Sequence, residues 1–159
     1  MDDFWGEHNR LDPIVLSSII GEWEELYHEA AVRLGVSDSA LQVLYVLYVK
    51  GEGCTQADIG KMMGLSKQTV HSATHKMERE GVLYLQNGAR RRMEVYLTEK
   101  GKALMHATAQ KVFEMENQIF ASWNEEEREA YLRLNRKYCD AFAQQLDTLG
   151  HRPAKEEKT

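Results

Sequence analysis

Three observations predict a mainly α-helical chain interrupted once by a short β-hairpin. Apolar residues recur at intervals of three and four along most of the 159 residues. Helix-starting Ser, Thr or Asn residues and helix-stopping glycines alternate along the chain. One segment, "VLYLQNGARRRMEVYLT", replaces that period with β-formers on both sides of Asn87-Gly88, the strongest short hairpin signal available from sequence. With 43% hydrophobic and 28% charged residues, the composition is that of an ordinary soluble globular protein that can bury a real core.

The elements follow in order. From Ile14 to Leu34, the residues Ile19, Ile20, Trp23, Leu26, Tyr27, Ala30 and Leu34 mark an amphipathic helix ended by Gly35. Ser39 followed by Gln42 resembles a capping box, and "ALQVLYVLYVK" continues as a buried helix stopped by Gly51. "GEGC" reads as a turn or a short strand. Thr55 is an N-cap with Asp58 three residues on, and its helix ends at Gly64; Ser66 caps the next, which Gly81 ends. After the hairpin, Thr98 caps a long helix running to about Ala121. Asn124 with Glu127 opens a last helix ending near Gly150, and "HRPAKEEKT" is a polar, frayed tail. There is no internal repeat or low-complexity linker.

The net charge of -5 is unevenly spread. Residues 1–60 carry 3 basic and 11 acidic side chains, residues 61–102 carry 9 and 4, and residues 103–159 carry 8 and 10. A basic centre between acidic flanks allows a local electrostatic footprint for a polyanion while discouraging indiscriminate binding. No apolar run reaches the ~18 residues of a membrane span. The start "MDDFWGEHNR" is acidic where a signal peptide would be basic and then apolar, so a cytoplasmic location and no membrane partner are expected. Cys54 and Cys139 lie outside any CxxC spacing and suggest neither a disulfide scaffold nor a zinc site. With no phosphate loop, nucleophile elbow or Ser/His/Asp set, no enzyme and no cofactor are expected.

The segment "LSKQTVHSATHKMEREG" carries the functional reading. Two helices joined at Gly64 have apolar residues at Ile59, Met63, Leu65, Val70 and Ala73, and Gly60 one turn before the joint. That pattern fits two helices crossing tightly, with Gly60 removing bulk and Gly64 supplying the sharp turn: a helix-turn-helix. The second helix offers a donor-rich face of Lys67, Gln68, His71, Ser72, Thr74 and His75, with no carboxylate before Glu78. An α-helix of that width fits the major groove of double-stranded DNA.

Chemistry assigns the roles. Ser66, Thr55 and the helix N-termini, with Gln56, can offer donors to phosphate oxygens, which positions without reading sequence. Gln68 suits adenine, Thr69 or Ser72 a base edge or a thymine methyl, and Lys67 or His71 guanine; His75 and Lys76 complete the outward face. Arg90, Arg91 and Arg92 at the hairpin tip suit the narrower minor groove beside it. His71 and His75, four apart on one face, have a spacing that could hold a metal, but no third ligand is adjacent in sequence and none is expected. Trp5, Trp23 and Trp123 and the methionines are read as core or interface packing, with an aromatic ligand pocket as the less favoured reading of the tryptophans.

The ordered set "LGVSDSALQVLYVLY", "TQADIGKMMGLSKQTVHSATHKMEREGVL" and "RRRMEVYLTEKGKAL" resembles the MarR family of bacterial winged helix-turn-helix regulators over nearly the full length. The resemblance implies a ligand-responsive repressor that acts as a homodimer on a pseudo-palindromic operator. It implies a mainly α, winged helix-turn-helix fold whose N- and C-terminal helices form a helical dimerisation region. The corresponding boundaries are 1–36 for the N-terminal dimerisation helix, 37–100 for the DNA-binding domain, 101–150 for the C-terminal dimerisation helices and 151–159 for a flexible tail. It further implies a recognition helix at Lys67–Glu80, a wing at Leu83–Leu97, and often a small effector, aromatic or other, at the junction. The family often has Asp, any residue, Arg in the wing; here those places are Ala89, Arg90 and Arg91, so the arginine is kept and the carboxylate is not. Two alternatives stay open: a winged-helix protein-interaction module without DNA binding, and a regulator that senses oxidants through a thiol at Cys54.

Overall fold

The computed structural model describes residues 13–88 and 92–149. Their elements run α1 (Pro13–Arg33), α2 (Asp38–Lys50), β1 (Cys54–Thr55), α3 (Gln56–Met63), α4 (Lys67–Arg79), β2 (Leu83–Asn87), β3 (Met93–Leu97), α5 (Glu99–Ala107), α6 (Ala109–Ser122) and α7 (Glu125–Leu146), with a final 3-10 turn at Asp147–Leu149. The mainly α fold with a small sheet is the one expected. The chain divides into two compact units, the first ending at Met115 and the second beginning at Glu116. The expected tail at 151–159, Trp5, and the wing residues Ala89, Arg90 and Arg91 lie outside the described residues.

The core of the first unit forms where α2 is enclosed. Leu41, Val43, Leu44, Val46 and Leu47 of α2 are buried together with Ile59 of α3, Val70 and Met77 of α4, and Val95 and Leu97 of β3. Burying a side chain of this size contributes roughly 1.5–3 kcal/mol before entropy is counted, which is why an apolar helix such as α2 ends at the centre. No single described helix is long and apolar enough to cross a membrane. The sheet is antiparallel in the order β1-β3-β2, with Leu83 opposite Leu97 and Asn87 opposite Met93.

Three local expectations are corrected. The N-cap of α2 is Ser37, with extended backbone and its hydroxyl accepting from the Ala40 N–H, so Ser39 lies within the helix. The hairpin connection is longer than an Asn87-Gly88 turn: Asn87 is still paired in β2, and Gly88 N–H donates to the Arg92 carbonyl at 2.8 Å. The helix expected to run unbroken from Thr98 to Ala121 is two helices. Buried Thr108 turns its hydroxyl back to the Leu104 carbonyl at 2.7 Å and leaves helical geometry at φ -125, ψ -81. A hydroxyl competing in this way for an i−4 carbonyl bends or ends helices.

One seam joins the wing to the helix before it. Thr98 N–H donates to the Val82 carbonyl at 3.1 Å, and the Thr98 hydroxyl lies 2.7 Å from the Gly81 carbonyl and 3.0 Å from that of Val82. Lys100 Nζ donates to the Glu80 carbonyl at 2.7 Å. Gly101 packs so closely here that a Cβ would stand 1.9 Å from the Val82 carbonyl oxygen. We predict that Gly101→Ala destabilises the protein by about 3 kcal/mol, because the obstacle is backbone and cannot rotate away. Urea unfolding checks this, and an unchanged midpoint would contradict the seam.

Candidate nucleic-acid interface

The site is built from α3, α4 and the wing. Thr55 caps α3 in a capping box: Asp58 N–H donates to Thr55 Oγ1 at 3.2 Å, and Asp58 Oδ2 accepts from Thr55 N–H at 2.9 Å. The Thr55 hydroxyl also donates to Asp58 at 2.7 Å, so the cap engages the group that sequence reasoning offered to a phosphate. The hydrogen bonds from the Thr55 backbone N–H and then its hydroxyl hold the Asp58 carboxyl below the usual carboxylate range. Gly64 ends α3 in the left-handed region at φ 67, ψ 18, which glycine adopts without steric cost. A Cβ on Gly60 would sit 3.1 Å from the Leu65 carbonyl oxygen and 3.6 Å from Val70, so its absence lets the two helices cross closely.

Ser66 starts α4, accepting from Thr69 N–H at 3.0 Å, with the two hydroxyls 2.8 Å apart. Val70, Ala73, Thr74 and Met77 form the buried stripe. Ser66, Lys67, Gln68, Thr69, His71, Ser72 and Lys76 are exposed, and His75 is half-exposed. The outward face is thus the one the sequence indicated, with one correction: Thr74 belongs to the core. It is 0% exposed and is bound by the Gln56 side chain at 2.9 Å, so neither residue simply faces outward. The His71 and His75 rings meet edge to face with centroids 4.2 Å apart, and His75 Nδ1 lies 3.0 Å from Glu78 Oε2. Among the described residues no group of three or more His, Cys, Asp or Glu could hold a metal ion.

The wing brings Arg92 onto the same unit, exposed at the start of the return toward β3. Its charge, after that of Lys50, is among the smaller influences that lower the Asp58 carboxyl. Tyr84 and Tyr96 stack across the sheet with centroids 5.5 Å apart, a pair that sequence reasoning did not single out although their register follows from alternation.

Residues 34–92 match the sequence profile of the MarR family. No curated protein matches the chain by sequence. Among solved structures, NMB1585, a MarR family regulator from Neisseria meningitidis, is similar at 23% identity and TM-score 0.77, over 90% of this chain and 100% of that one. MepR from S. aureus, solved as a complex with DNA, is similar at 24% identity and TM-score 0.67, over 80% and 94%. PcaV from Streptomyces coelicolor, solved with its natural ligand, is similar at 18% identity and TM-score 0.62, over 84% and 99%. Residues 34–92 thus carry the MarR sequence pattern, and the fold around them is a winged helix-turn-helix. The matched MarR stretch includes both helices of the motif, β2 and the wing tip.

Within this MarR segment Cys54 is half-buried. Burial first, and then the Asp58 carboxylate, push its thiol up from the usual value, which lowers the thiolate fraction that oxidant sensing requires. Asp58 has the opposite sign. Because its folded-state pKa is depressed, the cap's contribution is complete above the unfolded value of about 3.9 and is lost as pH falls through the folded value. We expect Asp58→Asn to destabilise the protein near neutral pH by less than about 1 kcal/mol, reflecting the exposed site. The difference from wild type should shrink below about pH 4. Thermal melts across pH check this, and a difference that grows on acidification would contradict it.

Proposed function

We propose that this chain is a sequence-specific, double-stranded DNA-binding transcriptional regulator, a repressor acting as a cytoplasmic homodimer on a pseudo-palindromic operator. The observation that carries the proposal is the outward face of α4. Lys67, Gln68, Thr69, His71, Ser72 and Lys76 are all exposed on a helix whose opposite stripe is fixed in the core. Hydrogen-bond donors dominate that face, and the chain supplies no carboxylate between Asp58 and Glu78. Such a helix presents donors to the acceptor edges of the major groove, while the wing arginines Arg90, Arg91 and Arg92 serve phosphate or the minor groove. MepR, of similar fold, was solved with DNA, which supports the same partner here.

Self-association is supported by unit surfaces that a lone chain leaves to water. In the second unit α7 has no buried residue, and Leu132, Leu134, Tyr138, Phe142 and Leu146 are about half or more exposed. In the first unit α1 buries only Ala31 and exposes Ile19, Ile20, Leu26 and Val32. Covering such side chains contributes roughly 1.5–3 kcal/mol each, enough in number to offset the association entropy of a dimer. Responsiveness to a small effector, aromatic or other, is part of the proposal. A cavity of about 300 Å³ in the first unit, walled by Val36, Ala73, Met77 and Leu104 and rimmed by Lys76 and Lys100, offers it one place to bind. An effector acts only by binding the non-DNA-fitting state more tightly than the other.

Selection from a pool of random duplexes at two salt concentrations tests the reading. The expected product is an inverted repeat with half-site centres about 10 bp apart and an affinity that falls steeply with salt. Arg91→Ala or Arg92→Ala should weaken binding to all sequences and reduce the salt slope by about 1, whereas Gln68→Ala should relax preference at particular bases by about 1–3 kcal/mol. No enriched sequence and no salt-sensitive binding would instead make α4 a protein-interaction surface.

A further inference from the structure

We propose that Gln56 and Thr74 form a positioning clamp that couples the phosphate-facing end of α3 to the base-facing side of α4, and so sets sequence discrimination. The proposal rests on the DNA-binding reading above. Gln56 is the first residue of α3 and half-buried, whereas Thr74 lies at the middle of the core stripe of α4, eighteen residues on. Gln56 Nε2 donates to Thr74 Oγ1 at 2.9 Å.

The direction of that bond follows from the rest of the network. The Thr74 hydroxyl hydrogen is directed at backbone carbonyls, that of Val70 at 2.8 Å and that of His71 at 3.1 Å. Toward Gln56 the hydroxyl oxygen is therefore an acceptor, and the amide must present an N–H. One hydrogen of Nε2 is thus used inside the protein. The other lies on the same planar amide at the start of α3, where the Gln56 and Ala57 backbone N–H groups are among those a helix N-terminus leaves without an intrahelical partner. Asp58 N–H is already taken by the cap. A phosphate drawn to that end would meet an amide that holds α4 with its other hydrogen.

Beyond the buried stripe of α4, two contacts shape how it crosses α3. Near the turn, Gly60 allows close approach to Leu65 and Val70; at the far end, Gln56 holds Thr74. Thr74 bonds to the His71 carbonyl and stands one residue from His75, so the held point lies directly behind the outward face. Phosphate contacts position and base contacts specify; the clamp is the link between them.

The test compares wild type with Thr74→Val, Thr74→Ser, Gln56→Leu and the double variant Gln56→Leu/Thr74→Val. For each, the affinity for the duplex enriched by selection is divided by that for a scrambled duplex of equal length, across a salt series. Thr74→Val should lower this ratio by about five- to tenfold with the salt slope unchanged, while Thr74→Ser, which keeps the hydroxyl, should retain it. The double variant should lose no more than the worse single one, because both remove one bond. Amide hydrogen exchange of α4 should speed in Thr74→Val and not in Thr74→Ser. Equal losses in Thr74→Val and Thr74→Ser, or losses that multiply in the double variant, would overturn the clamp. Wild type that selects a sequence while Thr74→Val selects it equally well would overturn the clamp alone. Wild type with no salt-dependent duplex binding would remove the DNA reading and the clamp's role in discrimination together.

Discussion

The backbone between Glu80 and Val82 is the point on which the rest of the helix-turn-helix and wing depends. Its carbonyls receive Lys100 Nζ, the Thr98 hydroxyl and the Thr98 N–H, and Gly101 has no Cβ because one would fall 1.9 Å from the Val82 oxygen. Four chain events meet there: α4 ends, β2 begins, β3 returns and α5 starts. A helix C-terminus leaves carbonyls that need donors, and here another element supplies them. The wing consequently inherits its placement from the end of α4 and does not hang from a free loop. "LTEKG" is the sequence trace of that junction, with Thr98 as cap, Lys100 as donor and Gly101 as clearance.

Electrostatics act on the frame that this packing creates. The whole chain carries -5, yet residues 61–102 are basic, and Asp58 of α3 and Glu94 of β3 have partners within the protein. Asp58 accepts from the cap of α3, and Glu94 accepts from the Tyr96 hydroxyl, which it holds above the usual tyrosine range. Carboxylates engaged in this way are fixed in direction, so the local field is set by backbone geometry as well as by the count of charges.

Elements specified locally were legible in the sequence. The Thr55–Asp58 and Asn124–Glu127 boxes and the Ser66 cap sit where their spacing put them, because each needs only one turn of chain. Where two local solutions compete, burial decides. Ser37 and Ser39 both fit a cap, but Ser37 as cap starts the helix in time to bring Leu41 and Leu44 into the core. The hairpin shows the same order of forces: Val95 and Leu97 must face inward, which sets Asn87 opposite Met93 and lengthens the connection past Gly88. Thr74 was misread for a related reason. Val70, Ala73, Thr74 and Met77 have core spacing, and a polar residue is tolerated in that stripe because its hydroxyl donates to the Val70 carbonyl one turn back and accepts from Gln56, a partner eighteen residues away that no local pattern names.

The distribution of partners along α4 also bears on which of its residues can read sequence. Toward its C-terminal end, His75 is drawn to Glu78 at 3.0 Å and Lys76 to Glu80 at 4.0 Å, pairs in which each positive or donor group faces an acid of its own helix or of its C-cap. Toward its N-terminal end, Lys67, Gln68, His71 and Ser72 lie on a stretch without carboxylates. Exposed pairs of this kind are weak, so they do not remove His75 and Lys76 from use, but a base or phosphate must compete with an acid for each of them. The N-terminal half faces no such competition. On the DNA reading, discrimination therefore concentrates between Lys67 and Ser72, the part of a recognition helix that enters the major groove first. On the same reading, a contact by its C-terminal half would first have to displace Glu78 or Glu80.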